Sequence, residues 1–117
     1  GYCAAMPTNA ALAETAALIG DPARAAMMAA LLDGRALTAG ELAETAGITP
    51  QTASGHLGRL TGAGLLAMEK QGRHRYHRLA SPDVARLIEG LLEVSARMPH
   101  RKVPTGPRNA ALRQART

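Results

Sequence analysis

The 117-residue sequence predicts a mainly α fold with one small β-hairpin: about five helices, with a two-stranded element between the fourth and the fifth. Three observations predict it. Apolar residues recur at helical spacing in segments opened by a capping residue, often followed by proline. The pattern changes to short extended runs only around Gly72. The chain has no Phe or Trp and only Tyr2 and Tyr76, so Ala, Leu, Ile, Val and Met must fill the interior, which suits close helix-on-helix packing.

Asn9 is expected to cap a first helix carrying Leu12, Leu18 and Ile19, which Gly20 ends. Asp21 as N-cap with Pro22 at the first helical position starts the second, running through Met27, Met28, Leu31 and Leu32 and stopping by Gly34. Thr38 stands three residues before Glu41, the capping-box spacing, and opens a short helix that Gly47 closes after Ala46. Thr49-Pro50 repeats the cap-plus-proline signal, and that helix runs to about Ala63, before Gly64. Leu65 to Lys70 and Arg73 to Leu79 flank Gln71-Gly72 and read as a hairpin with glycine in the turn. On its second strand Arg73, Arg75 and His77 share one face and His74, Tyr76 and Arg78 the other, with Tyr76 expected as the core-facing anchor. Ser81-Pro82 starts a last helix whose Val84, Leu87, Ile88, Leu91 and Leu92 form a stripe that must pack on something.

These elements divide the chain. Residues 1–7 read as a disordered N-terminal segment, with vector-derived sequence ahead of Met6 as one origin, and residues 8–96 as one folded unit. Residues 97–108, rich in proline and basic side chains, read as a linker. Residues 109–117 read as the start of a further helix, too short to be stable alone. No apolar run reaches the roughly 20 residues that cross a bilayer, and no signal peptide is evident, so a soluble, cytoplasmic protein without membrane contact is expected. The single cysteine, Cys3, excludes a disulfide or a thiolate cluster within one chain.

The net charge of +5 is unevenly spread. Residues 50–80 carry Arg59, Lys70, Arg73, Arg75 and Arg78 against Glu69 alone, and residues 97–117 carry basic side chains with no acidic one, whereas residues 1–49 and 81–96 are net acidic. A basic middle and tail separated by acidic helices fit a polyanion partner.

The run from Glu41 to Leu60 has the composition of a helix-turn-helix: Gly47 permits the left-handed turn, and Ile48 plugs the angle between two short helices. With its hairpin, the predicted fold is a winged helix-turn-helix whose second helix enters the major groove of DNA. On that helix Ala53, Leu57 and Leu60 project to one side. Gln51, Gly55 and Arg59 lie opposite, with Thr52, Ser54 and His56 on the flanks. Arg59 and Gln51 have the chemistry for bidentate contacts to guanine and adenine, while Thr52, Ser54 and His56 suit phosphates or single base contacts. Arg73 and Arg75 are placed to reach phosphates or the adjacent minor groove. Gly55, Gly58 and Gly62 each cost the helix about 1 kcal/mol relative to Ala. Two readings stay open for them: close approach of backbone to DNA, or tolerance because Leu57 and Leu60 anchor the helix.

The segments Thr52-Ala-Ser-Gly-His-Leu-Gly-Arg-Leu-Thr-Gly-Ala-Gly-Leu-Leu and Lys70-Gln-Gly-Arg-His-Arg-Tyr-His-Arg-Leu resemble the recognition helix and wing of ArsR-type winged-helix repressors, a resemblance covering roughly residues 8–96. It implies a homodimer joined by the first and last helices, which places Leu12, Ile19, Val84, Leu87, Ile88, Leu91 and Leu92 at the subunit contact. It also implies binding to a near-palindromic double-stranded operator and release by an inducer, with Ser54, His56, Arg59, Arg73 and Arg75 toward DNA.

The metal-sensing patterns of such repressors are not matched. The helix Glu41 to Ala46 has no Cys-x-Cys pair, the last helix offers Asp83, Glu89 and Glu93 but no His, and a persulfide switch needs two cysteines. His74, His77 and His100 are expected on the DNA side or exposed. The reading is therefore a dimeric, sequence-specific repressor with no cofactor, no metal site and an inducer that is not a metal. No nucleophile–base pair, carboxylate dyad or phosphate loop suggests an enzyme. The alternative is a winged-helix dimerisation module at the N-terminus of a longer protein with an effector or enzymatic domain.

Overall fold

The computed structural model describes residues 8–99. The elements run α1 (Asn9–Ile19), α2 (Pro22–Ala30), β1 (Leu37–Thr38), α3 (Ala39–Ala46), α4 (Pro50–Gly62), β2 (Leu66–Gln71), β3 (His74–Leu79) and α5 (Pro82–Arg97). The segment at residues 1–7 and the helix expected over 109–117 lie outside the described residues, as does most of the linker; α5 reaches one residue into the range read as linker.

Side-chain caps start each helix. Asp21 Oδ2 accepts from the Arg24 N–H at 3.0 Å ahead of Pro22, and Thr49 Oγ1 accepts from the Thr52 N–H at 3.1 Å ahead of Pro50. Thr38 and Glu41 form a full capping box, at 3.2 Å and 2.9 Å, satisfying two amides that the first turn cannot. At α1 the cap is Thr8 rather than Asn9: its hydroxyl accepts from the Ala11 N–H at 3.0 Å, and Asn9 is already helical. α2 ends at Ala30, short of Leu32, because the left-handed pair Asp33 (φ 67°) and Gly34 (φ 72°) turns the chain towards β1.

The sheet has three strands, not two, in the order β1-β3-β2, all antiparallel. Leu37 pairs with His77 and Thr38 with Tyr76, making β3 the central strand. A two-residue strand shows no periodicity, and its partner lies far along the chain, so no local signal announces it. Gln71 pairs with His74, which makes Gly72-Arg73 the two-residue turn rather than Gln71-Gly72. Gly72, at φ 62°, takes the first central position, the glycine site of a type II′ hairpin turn. The inward residue of β3 is consequently His77, 9% exposed, while Tyr76 is half-buried on the opposite face. His74 shares that face with Tyr76, their rings 6.2 Å apart.

Met27, Met28 and Leu31 from the α2 region, Leu42 from α3 and Leu57 and Leu60 from α4 are fully buried. Ile19, Ala43, Ala53, Leu65, Leu66 and Ile88 complete the core, with Ile48 packed against it. Unbranched Met fills the irregular gaps that larger cores fill with aromatics. From the α5 stripe only Ile88 is buried; Leu87, Leu91 and Leu92 remain 40%, 43% and 50% exposed. Among the described residues no helix is long and apolar enough to cross a membrane.

Leu60→Ala is expected to lower the unfolding free energy by about 3 kcal/mol, through lost burial and a residual cavity. Thr38→Ala should lower it by about 1 kcal/mol through loss of the capping box. Urea denaturation of both variants measures the two costs, and equal losses would contradict this division between core and cap.

Candidate nucleic-acid interface

The turn between α3 and α4 is set by few atoms. Gly47 sits at φ 70° and closes α3. The Ile48 N–H donates to the Ala43 carbonyl at 3.0 Å, and Ile48 packs against the core as the expected plug. Thr49 then restarts the helix. With Ala53, Leu57 and Leu60 buried, Gln51, Thr52, Ser54, Gly55, Gly58, Arg59 and Gly62 are all exposed. The Thr52 hydroxyl accepts from Thr49 Oγ1 at 2.9 Å and so is tied to the cap. Arg59 stands in the last turn of α4, where its charge meets the negative end of the helix dipole.

His56 departs from the sequence expectation of a DNA-facing residue. Its side chain is 20% exposed, its Nδ1 lies 2.9 Å from Arg24 Nη1, and its Nε2 lies 4.0 Å from Asp21 Oδ2. The ring thus faces the start of α2. His56 stands three residues after Ala53 and four before Leu60, on the border of the apolar stripe, and that spacing was a signal for a half-buried position. The Arg24 backbone N–H holds the Asp21 carboxyl below the usual carboxylate range against the opposing cost of burial, and the nearby Arg24 charge adds to the lowering.

Beside α4 stands the wing. Ser54, Gly58 and Thr61 share with Met68, Arg75 and His77 a groove of about 460 Å³. Arg73 in the turn, Arg75 on β3 and Lys70 on β2 are exposed and, among the described residues, form no ion pair; nor does Arg59. Arg78 does, with Glu69 at 3.9 Å, an exposed pair that contributes little to stability. Four cations are left directed at solvent around one polar helix face. Within the groove, Thr61 Oγ1 and His77 Nδ1 are buried without a protein partner. Burial, and secondarily the Arg75 charge, pushes the His77 pKa down from 6.5. His77 was expected on the DNA side or exposed; it is buried instead, because its strand is the middle of the sheet, with Leu37 on one side and Met68 on the other.

The expected subunit contacts divide in two. Ile19 and Ile88 are 8% and 4% exposed and belong to the chain's own core, and Val84 packs against it, because α5 crosses α2 at that level. Leu12, Leu87, Leu91 and Leu92 stay exposed, joined by Val94 and Met98. No group of three or more His, Cys, Asp or Glu side chains able to hold a metal is present among the described residues.

A polar recognition helix, a left-handed turn before it and a basic wing after it define the class, and comparisons with known proteins agree. Residues 19–69 match the family model described as a helix-turn-helix domain. The chain is 43% identical over 109 residues to an uncharacterised HTH-type transcriptional regulator of Bacillus subtilis, YdfF; the match covers 93% of this chain, which spans about half (48%) of that relative's length. It is 36% identical to the HTH-type transcriptional regulator CmtR of Mycobacterium tuberculosis, over 74% of this chain and 72% of the relative. Among solved structures it is similar to Mb0332 of Mycobacterium bovis, a homodimeric winged helix-turn-helix DNA-binding domain described as a possible ArsR-family regulator. There the identity is 27% and the TM-score 0.64, over 86% of this chain and 99% of that one. The chain belongs to the ArsR-type winged helix-turn-helix family of transcriptional regulators.

The lowered His77 pKa has a definite sign. The folded protein binds fewer protons at this site than the unfolded chain, so the contribution is fully present above pH 6.5. It is lost as pH falls below that value towards the depressed folded pKa. Urea denaturation at pH 8 and pH 5 should show a larger loss for the wild type than for His77→Leu, which keeps an inward side chain but cannot titrate. Equal losses in the two proteins would contradict the assignment.

Proposed function

We propose that this protein is a dimeric, sequence-specific transcriptional repressor that holds a near-palindromic double-stranded operator with α4 and the wing. The observation that carries the reading is the exposed polar face of α4 beside Arg59, Arg73, Arg75 and Lys70, none paired with a carboxylate among the described residues. Gln51 and Arg59 read base edges, Thr52 and Ser54 contact phosphates or single bases, and Arg73 and Arg75 engage the backbone or the minor groove. His56 acts from behind the helix rather than on DNA. A Cβ placed on Gly55, Gly58 or Gly62 meets nothing within 4 Å, so the protein's own packing makes no demand for glycine there. That supports the reading in which the missing side chains admit the DNA backbone. The protein acts in the cytoplasm by binding, not by catalysis.

The second copy docks on α1 and α5. A groove of about 250 Å³ is lined by Ile19, Ala25, Ala29, Ile88, Leu91 and Leu92, and Leu12 on α1 and Leu87 on α5 are exposed as well, so one chain leaves apolar surface open on both helices. In the dimer the two recognition helices stand about 34 Å apart, one turn of DNA. CmtR is described as a cadmium sensor. This chain has one cysteine, Cys3, and the inducer we propose is not a transition metal, which metal analysis of the purified protein checks. A second reading is favoured by the length of YdfF, roughly twice the part matched here. In that reading the winged helix is the N-terminal dimerisation module of a longer regulator with an effector domain.

Titration against the upstream DNA of its own gene and against random duplex, at two salt concentrations, tests the reading. Arg59→Ala should lose about 1–3 kcal/mol of discrimination, while Arg73→Ala should weaken both duplexes alike and flatten the salt dependence. Absence of any preference for the upstream DNA at either salt concentration contradicts a repressor and leaves the module reading. Sedimentation equilibrium should show a dimer for the wild type and a monomer for Leu92→Asp. A dimer unaffected by that charge would place the subunit contact elsewhere.

A further inference from the structure

Arg24 lies in the first turn of α2, away from the exposed face of α4, yet its guanidinium is committed to two other helices. Nε donates to the Leu18 carbonyl at 2.5 Å and Nη2 to the Ala17 carbonyl at 3.4 Å. Both carbonyls belong to the last turn of α1, where helical acceptors lack partners within the helix. Nη1 donates to His56 Nδ1 at 2.9 Å, across 32 residues of sequence, in the middle of α4. A guanidinium has no acceptor, so Nδ1 must present its lone pair and the proton of the neutral ring sits on Nε2. Nε2 is the nitrogen 4.0 Å from Asp21 Oδ2, and Asp21 in turn caps α2 through the Arg24 N–H. One side chain thereby joins the end of α1, the start of α2 and the centre of the DNA-reading helix.

The apolar stripe of α4 cannot supply what this junction adds. Burial of Ala53, Leu57 and Leu60 holds the helix against the core, but hydrophobic contact is non-directional and leaves small rotations and slides inexpensive. A hydrogen bond at mid-helix from a rigid fork of donors fixes the angle. Resting on the DNA-binding reading above, we propose that Arg24 is a positioning residue. Acting through His56, it sets the rotation of α4 relative to α1, and with it the direction in which Gln51 and Arg59 point. Because α1 belongs to the proposed subunit contact, the same link carries the geometry of the dimer to the recognition helix.

The test uses Arg24→Lys, which keeps the charge but not the fork, together with His56→Ala and the double variant, each checked for folding by thermal denaturation. Each single change should reduce the preference for the upstream duplex over random duplex about tenfold. The double variant should be no worse than the poorer single one, since both remove one link. The salt dependence should stay unchanged, because no phosphate contact is lost. Nitrogen-15 NMR of the wild-type His56 ring should show an unprotonated Nδ1, a readout independent of DNA and of whether any variant folds. A protonated Nδ1, full discrimination by Arg24→Lys, or additive losses in the double variant would overturn the proposal. Wild-type protein with no preference between the duplexes overturns the DNA-binding reading and the positioning role with it, even where the ring signature of the Arg24–His56 bond is present.

Discussion

The burial of one edge of α4 constrains everything outside it. Ala53, Leu57 and Leu60 are no more than 1% exposed, in one core with Met27, Met28 and Leu42. Once that edge is fixed, the helical period puts Gln51, Ser54, Gly55 and Arg59 on the other side. The left-handed Gly47 and the Thr49 cap decide where the helix begins, and the hairpin that follows brings its cations alongside. A slip of one residue in α4 would turn Thr52, His56 and Arg59, or Ser54, Gly58 and Thr61, into the core and expose Leu57 and Leu60. The polar face is therefore specified by the core rather than by its own residues.

Electrostatics completes the arrangement. Among the described acidic side chains Asp21 and Glu41 are used at helix starts, Asp83 and Glu93 pair with arginines of α5, and Glu69 engages Arg78 at the wing. The remaining wing cations and Arg59 are not neutralised within the described residues, which leaves a field of one sign on the face that carries the polar helix. On another side, α1 and α5 leave leucines exposed that a small, aromatic-free core has no capacity to cover. Two unsatisfied surfaces of opposite character, one cationic and one apolar, suit a protein that meets a polyanion with one and its own copy with the other.

Much of this is legible in the sequence because its signals are local. The cap-proline pairs at Asp21-Pro22, Thr49-Pro50 and Ser81-Pro82, the box at Thr38 and Glu41 and the turn glycine Gly47 each act within a few residues, and each fell where the sequence put it. What escaped was non-local. Strand β1 exists only because Leu37 meets His77, and that same pairing makes β3 central and turns His77, not Tyr76, inward. The hairpin register moved by one residue because glycine fits either turn position in a sequence, while strand pairing decides between them. Arg24 carries no motif: its role follows from the packing of α1 and α2 against α4. His56 was misplaced for the same reason, and Ile19 and Ile88 lie in the chain's own core because the crossing of α2 and α5 is invisible to periodicity.

The central claim, that the outer face of α4 and the tip of the wing are where this protein holds DNA, is most directly tested by amide NMR mapping of the full chain with and without a duplex from upstream of its gene. The largest changes are expected at Gln51, Ser54, Gly55, Gly58 and Arg59 and around Gly72 and Arg73, with the buried amides of α2 and α3 little affected. Changes confined to α5 and the basic residues beyond it, leaving α4 and the wing unmoved, would contradict it.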